Sequence, residues 1–190
     1  MKRKIMYLVA VSLTILTVVS CDKVKDPEVI SVTLGAQGNT TVDGFYAVEE
    51  NETYTMATAA DNQGDIDIFC FYEAETGNNI ALAAPGTGIT GIFTGVDAPE
   101  TWTSTNTTFF IVTTITEEQF EAVQEGDALI VSSFDSENAR RKAKDIQTGQ
   151  VWSFMTQDAV YGLLLVADVV QGAEGKATFV LKTKKVIDAR

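Results

Sequence analysis

The densest set of groups that could do chemistry is Asp61-Asn62-Gln63-Gly64-Asp65-Ile66-Asp67, three carboxylates and two amides in one short stretch. Oxygen donors of this kind suit a hard divalent cation such as calcium, which takes about six to eight of them. The EF-hand spacing fails: counted from Asp61, the sixth residue is Ile66 where that loop needs glycine, and the twelfth is Tyr72 where it needs glutamate. A looser calcium loop built on Asp61, Asp65 and Asp67 stays open beside the plainer reading, a polar hairpin turn entering a strand. Strand alternation would set Asp65 and Asp67 on one face and Ile66, Ile68 and Cys70 on the other. Asp168 interrupts a second apolar run. Two such acids facing each other across a cleft could work as acid and base on a glycosidic bond, at separations of about 5 to 9.5 Å. With 26 acidic residues in the chain, solvated structural carboxylates are the simpler expectation.

Trp102 lies among Thr101, Thr103, Ser104, Thr105 and Asn106, an aromatic ring in a polar run. Such a ring could stack on a sugar face while the Asn106 amide and a carboxylate such as Asp67 bond the sugar's hydroxyls; the competing reading is a tryptophan folded back as a core plug. Trp152, between Val151 and Phe154, reads as core. Arg140, Arg141, Lys142 and Lys144 form the one basic cluster and could dock an acidic partner or a membrane surface, although such a run is ordinarily a solvated face.

Composition removes other chemistries. The chain has no histidine and two cysteines among its 190 residues, so histidine-dependent nucleophile pairs and a four-thiolate zinc site are excluded. With 14 Lys+Arg against 26 Asp+Glu, a net charge of -12 lacks the cationic footprint that nucleic-acid backbones require. No cofactor is implied. The expected protein is not an enzyme.

The elements that must position these groups are mostly strands. Val, Ile, Phe, Tyr and abundant Thr, in short runs separated by turn residues, predict strands over 29–34, 44–48, 53–58, 66–72, 80–83, 107–115, 128–133, 151–155, 161–170 and 177–183. The run 161–167 is apolar on both alternations, as a central strand buried on both faces would be. One helix is signalled by the capping box Thr116-Glu117-Glu118-Gln119 with Phe120, Val123 and a closing Gly126, and a weaker helical piece is expected over 136–144. The expected fold is mainly β, a single-domain β-sandwich of about eight to ten strands with one short helix, spanning 29–190.

The amino end carries a different signal. Lys2, Arg3 and Lys4 precede an apolar run, 5–19, that is too short to span a membrane, which takes about 20 residues. Val18-Val19-Ser20-Cys21 then resembles the lipobox of bacterial lipoproteins. The resemblance implies that 1–20 is a signal peptide removed on export and that Cys21 is lipidated and becomes the first mature residue. Residues 21–28 follow as the lipidated cysteine and a short charged linker. Losing three cations and no acids takes the charge from -12 to -15 and leaves Cys70 as the one free thiol.

Beyond the lipobox, Leu34-Gly35-Ala36-Gln37, Gly44-Phe45-Tyr46, Phe71-Tyr72, Ala84-Pro85, Trp102 ahead of Thr107-Thr108-Phe109, and Val151-Trp152-Ser153-Phe154 before Tyr161-Gly162-Leu163 are similar in pattern to small lipid-anchored, β-rich lipoproteins of Bacteroidetes. That likeness implies an outer-membrane lipoprotein acting as a non-catalytic binding or assembly module. Its partners would be the membrane, through Cys21, and a carbohydrate or a surface protein. A carboxylate-dependent glycoside hydrolase and a purely structural envelope lipoprotein are the alternatives.

Overall fold

The computed structural model describes residues 30–73, 77 and 79–186. Cys21, the signal segment and the linker lie outside the described residues. Among the described residues, ten strands form two five-stranded antiparallel sheets. The first sheet orders β1 (Ile30–Gly35), β10 (Lys176–Lys185), β9 (Val160–Val170), β8 (Val151–Thr156) and β6 (Thr108–Val112). The second orders β3 (Glu52–Tyr54), β2 (Phe45–Ala47), β4 (Ile68–Glu73), β5 (Asn79–Ala83) and β7 (Lys142–Ala143). This is the mainly β, sandwich-like architecture that the strand pattern predicts.

Three apolar layers follow from alternation along the strands. Between the sheets lie Val32, Leu34, Tyr46, Ile68, Cys70, Leu82, Phe110, Phe154, Leu164, Val166 and Phe179. Burial pushes the Cys70 thiol up to about 12, so it packs as an inert apolar group. The outer face of the first sheet carries Leu163, Leu165 and Val151, covered by Phe120, Val123 and Ile130 from a helical segment. The outer face of the second carries Phe45, Phe69 and Phe71, covered by Phe93 and Trp102 from the loop after β5. β9 is therefore buried on both faces, Leu164 and Val166 inward and Leu163 and Leu165 outward, which accounts for its unbroken apolar run. Where Phe154 pairs with Gly162 across β8 and β9, its ring lies against the glycine where a Cβ would stand.

Three predicted elements differ. Strand 53–58 stops at Tyr54, and α1 (Met56–Asp61) follows, because the Thr55 side chain accepts from the Thr58 N–H and the next residues are alanine-rich. Strand 128–133 is instead α3 (Ala128–Ser132), started by Asp127, whose carboxylate accepts from the Leu129 N–H at 2.9 Å. The weak helix over 136–144 is absent: Asp135 turns the chain by accepting from the Glu137 N–H and the Asn138 amide, and the segment ends in β7. The capping-box helix is present as α2 (Glu117–Ala122), with both reciprocal bonds made. Among the described residues, no helix is long and apolar enough to cross a membrane.

Candidate functional site

The acidic stretch does not converge on a point. Asp61 ends α1 and is exposed, Asp65 is exposed in the following turn, and Asp67 turns inward at 5% exposure. The amides between them are already bonded: Asn62 donates to the Thr58 carbonyl, while Gln63 donates to the Ala60 carbonyl and accepts from the Thr103 and Ser104 N–H groups. Among the described residues, no group of three or more acids or thiols is placed to hold a metal.

Asp67 and Asn106 form a buried knot. Asp67 Oδ2 accepts from the Val48 N–H at 3.0 Å, and Asn106 Nδ2 donates to the Gly64 carbonyl at 2.6 Å and toward Asp67 Oδ1 at 3.4 Å. The turn after β2 is thereby tied to the residues before β4 and β6. Desolvation raises the Asp67 carboxyl to about 6; its two hydrogen bonds pull it down and nearby Asp158 and Glu50 push it up. The cavity beside it, ringed by Glu49, Glu50, Asp65 and Asp158, is only about 40 Å³, far below the roughly 300–1,000 Å³ of ordinary ligand sites. Asp168 is exposed on β9, eight residues beyond Val160 at that cavity, a span of roughly 27 Å at strand rise, so it and Asp67 do not face each other.

Trp102 is the core plug. It is 9% exposed, its indole N–H donates to the Asp97 carbonyl at 2.8 Å, and its ring stands 5.7 Å from that of Phe45. Its polar neighbours make the loop bonds that hold it down, Thr103 to Gln63 and Thr101 to Val96 and Ala98.

The structure instead opens a site at the basic cluster. Arg140 exchanges backbone hydrogen bonds with Phe110, its N–H donating at 2.8 Å and its carbonyl accepting at 2.7 Å, which stitches this segment to the free edge of the first sheet. Two residues on, Lys142 and Ala143 pair with Ala83 and Leu82 at the edge of the second sheet. The segment crosses from one sheet to the other, and beside it the sandwich stays open as a groove of about 450 Å³. Its floor is apolar, made by Phe110, Val112 and Trp152; its rim carries Arg140, Arg141, Lys142 and Lys144, with Asn138 and Thr87. Val112 is 50% exposed although its side chain shares a face with core Phe110. The Trp152 indole N–H is taken by Gln150 Oε1 at 3.0 Å, so the ring offers the groove only apolar surface.

Most of the rim charge is unmatched. Lys142 pairs with Glu73 at 3.7 Å and lies over the Phe71 ring, whereas Arg141 sits 5.7 Å above Phe109 and reaches the Gly86 carbonyl. Arg140 Nη1 donates to the Asn138 and Ala139 carbonyls. Among the described residues the ion pairs are Lys142–Glu73 and Lys185–Glu49, so Arg140, Arg141 and Lys144 have no carboxylate partner. An apolar floor with convergent cations at its edge is the anatomy of a site for an anionic, partly apolar ligand. Sequence reasoning found the cations and missed the floor, because Val112 and Trp152 meet them only through the edge position of β6.

No protein-family model matches the chain, and no curated protein does. Among solved structures, the crystal structure of a DUF4466 family protein from Parabacteroides merdae is similar in fold, with a TM-score of 0.58 at 14% identity. The match covers 84% of this chain and 55% of that one, so the chain spans about half the length of its structural neighbour. At that identity the likeness is one of fold. The neighbour comes from a Bacteroidetes member.

Proposed function

We propose that the protein is a non-catalytic binding or assembly module, held at the outer membrane by acylated Cys21, and that the groove between β6 and β7 is its binding face. The observation that carries this reading is the groove itself: three cations with no carboxylate partner among the described residues, beside an apolar floor on which Val112 is half exposed, in a chain whose net charge is -12. Exposed apolar surface bordered by polar groups marks interaction sites, and a concentrated charge opposite in sign to the rest of the surface orients a partner on approach. Of the two ligand classes the sequence suggests, an apolar floor with cations at its rim suits an acidic surface protein better than a neutral carbohydrate. The lipobox supports the anchor, since several acyl chains contribute about 0.8 kcal/mol per buried methylene.

The hydrolase alternative has one observation in its favour, the raised pKa of Asp67, which a general acid would need. Against it stand the small cavity and the two hydrogen bonds that hold the carboxyl in place. The experiment is charge reversal in protein that begins at Asp22 and so lacks the acyl anchor: Arg140→Glu with Lys144→Glu abolishes its retention on envelopes from cells lacking the protein, while Lys176→Glu with Lys184→Glu, away from the groove, keeps it. Equal retention by both double variants sinks the assignment of the groove.

A further inference from the structure

Resting on the groove being the binding face, we propose that its occupant is an extended acidic segment of a partner polypeptide, seated as an added strand against the open edge of β6. The edge supplies the first argument. β6 pairs with β8 on one side, and alternation turns the N–H and carbonyl of Phe110 outward to Arg140. The same alternation turns those of Val112 outward, beyond the single bridge that Arg140 makes, and among the described residues no segment pairs there. An unpaired donor and acceptor beside exposed apolar surface form a template for strand addition, in which main-chain bonds fix the segment and alternate side chains enter the floor.

Charge supplies the second argument. Arg140, Arg141 and Lys144 line the groove with no carboxylate partner among the described residues, so a segment alternating acidic and apolar residues would place its carboxylates on the rim and its apolar side chains against Val112 and its cross-strand neighbour Trp152. The net negative charge of the chain disfavours such a segment over most of its surface, which favours this edge. A lipid surface fits less well. β1, the strand that follows the tether, and β6 occupy opposite edges of the five-stranded sheet, roughly 19 Å apart at ordinary strand spacing, and the apolar floor is concave.

The test uses acylated mature protein in a neutral detergent micelle and a fluorescent ten-residue peptide alternating glutamate with leucine. Binding is read by anisotropy, and the site by amide chemical shifts. The expected result is saturable binding that perturbs the Val112 and Trp152 amides. Binding weakens roughly tenfold in protein with Arg140→Gln and Lys144→Gln, and is lost when alternate peptide amides are N-methylated on the ladder-facing side. Because N-methylation changes only the peptide, this arm stands even if a protein variant folds poorly. If polygalacturonate or phosphatidylglycerol vesicles perturb those amides and the peptide does not, the polypeptide proposal is overturned while the groove remains the binding face. If none of the three probes perturbs them, both readings fall together. Binding of the N-methylated peptide as tight as that of the parent overturns strand addition.

Discussion

Replacing Asp67 with asparagine separates a structural acid from a functional one. The folded chain holds this carboxyl at about 6 against an ordinary 3.8, chiefly through desolvation, at a position 5% exposed. At about 1.4 kcal/mol per pH unit, the ionised form is roughly 3 kcal/mol costlier in the folded chain than in the unfolded one. The sign is that of a raised acid: between about pH 4 and 6 the folded chain keeps a proton the unfolded chain has lost. The stability this provides is therefore complete below the unfolded pKa and disappears as pH rises through about 6. Asparagine keeps an oxygen for the Val48 N–H and removes the charge, with a small loss at the 3.4 Å Asn106 contact. Urea unfolding followed by fluorescence of Trp102 and Trp152, which sit in separate apolar layers, reads the wild-type chain and Asp67→Asn at pH 5 and pH 7.5. The wild-type chain should lose about 1.4 kcal/mol more than Asp67→Asn between those pH values, and Asp67→Asn should be the more stable protein at pH 7.5. A variant that follows the wild-type pH slope, or that is less stable at pH 7.5, would refute the reasoning, because Asp67 would then be an ionised group compensated by its partners.

Two further outcomes test the packing of the first sheet. Gly162→Ala drives a methyl into the Phe154 ring between β8 and β9 and should cost about 1–3 kcal/mol in thermal or urea unfolding without altering partner binding. Lys182 donates to the Phe120, Glu121 and Val123 carbonyls at the end of α2 and lies over the Phe120 ring, so Lys182→Met should lose roughly 1.5–3 kcal/mol and raise hydrogen exchange across α2 first.

How far the sequence could be read depended on whether the deciding contact was local. The Thr116 capping box is complete within four residues, and α2 forms where its spacing places it. β9 was legible because Leu163 to Val166 must satisfy two apolar layers at once. Ala128 to Ser132, by contrast, has a strand's composition; only the carboxylate of Asp127, bonded to the Leu129 N–H, turns it into a helix. Trp102 stands among hydroxyls that suggest a sugar site, yet its partners, the Asp97 carbonyl and the Phe45 ring, place it in the core. The groove was least legible, because Val112, Arg140 and Trp152 are brought together by two sheet edges that no run of residues encodes. Asp67 combined both cases: its burial contradicts the open acidic face that alternation suggested, since the strand begins only at Ile68.

The central claim is that the β6–β7 groove is where this protein meets its partner, and site-specific photo-cross-linking in intact cells tests it most directly. A benzophenone side chain is placed at Val112 on the groove floor or, as a control, at Val96, which is 88% exposed on the loop over the second sheet. The account predicts a discrete polypeptide adduct from position 112 that disappears when Arg140 and Lys144 are reversed to glutamate, and none from position 96. Adducts formed equally from both positions, or an adduct at position 112 indifferent to the charge reversal, would contradict it.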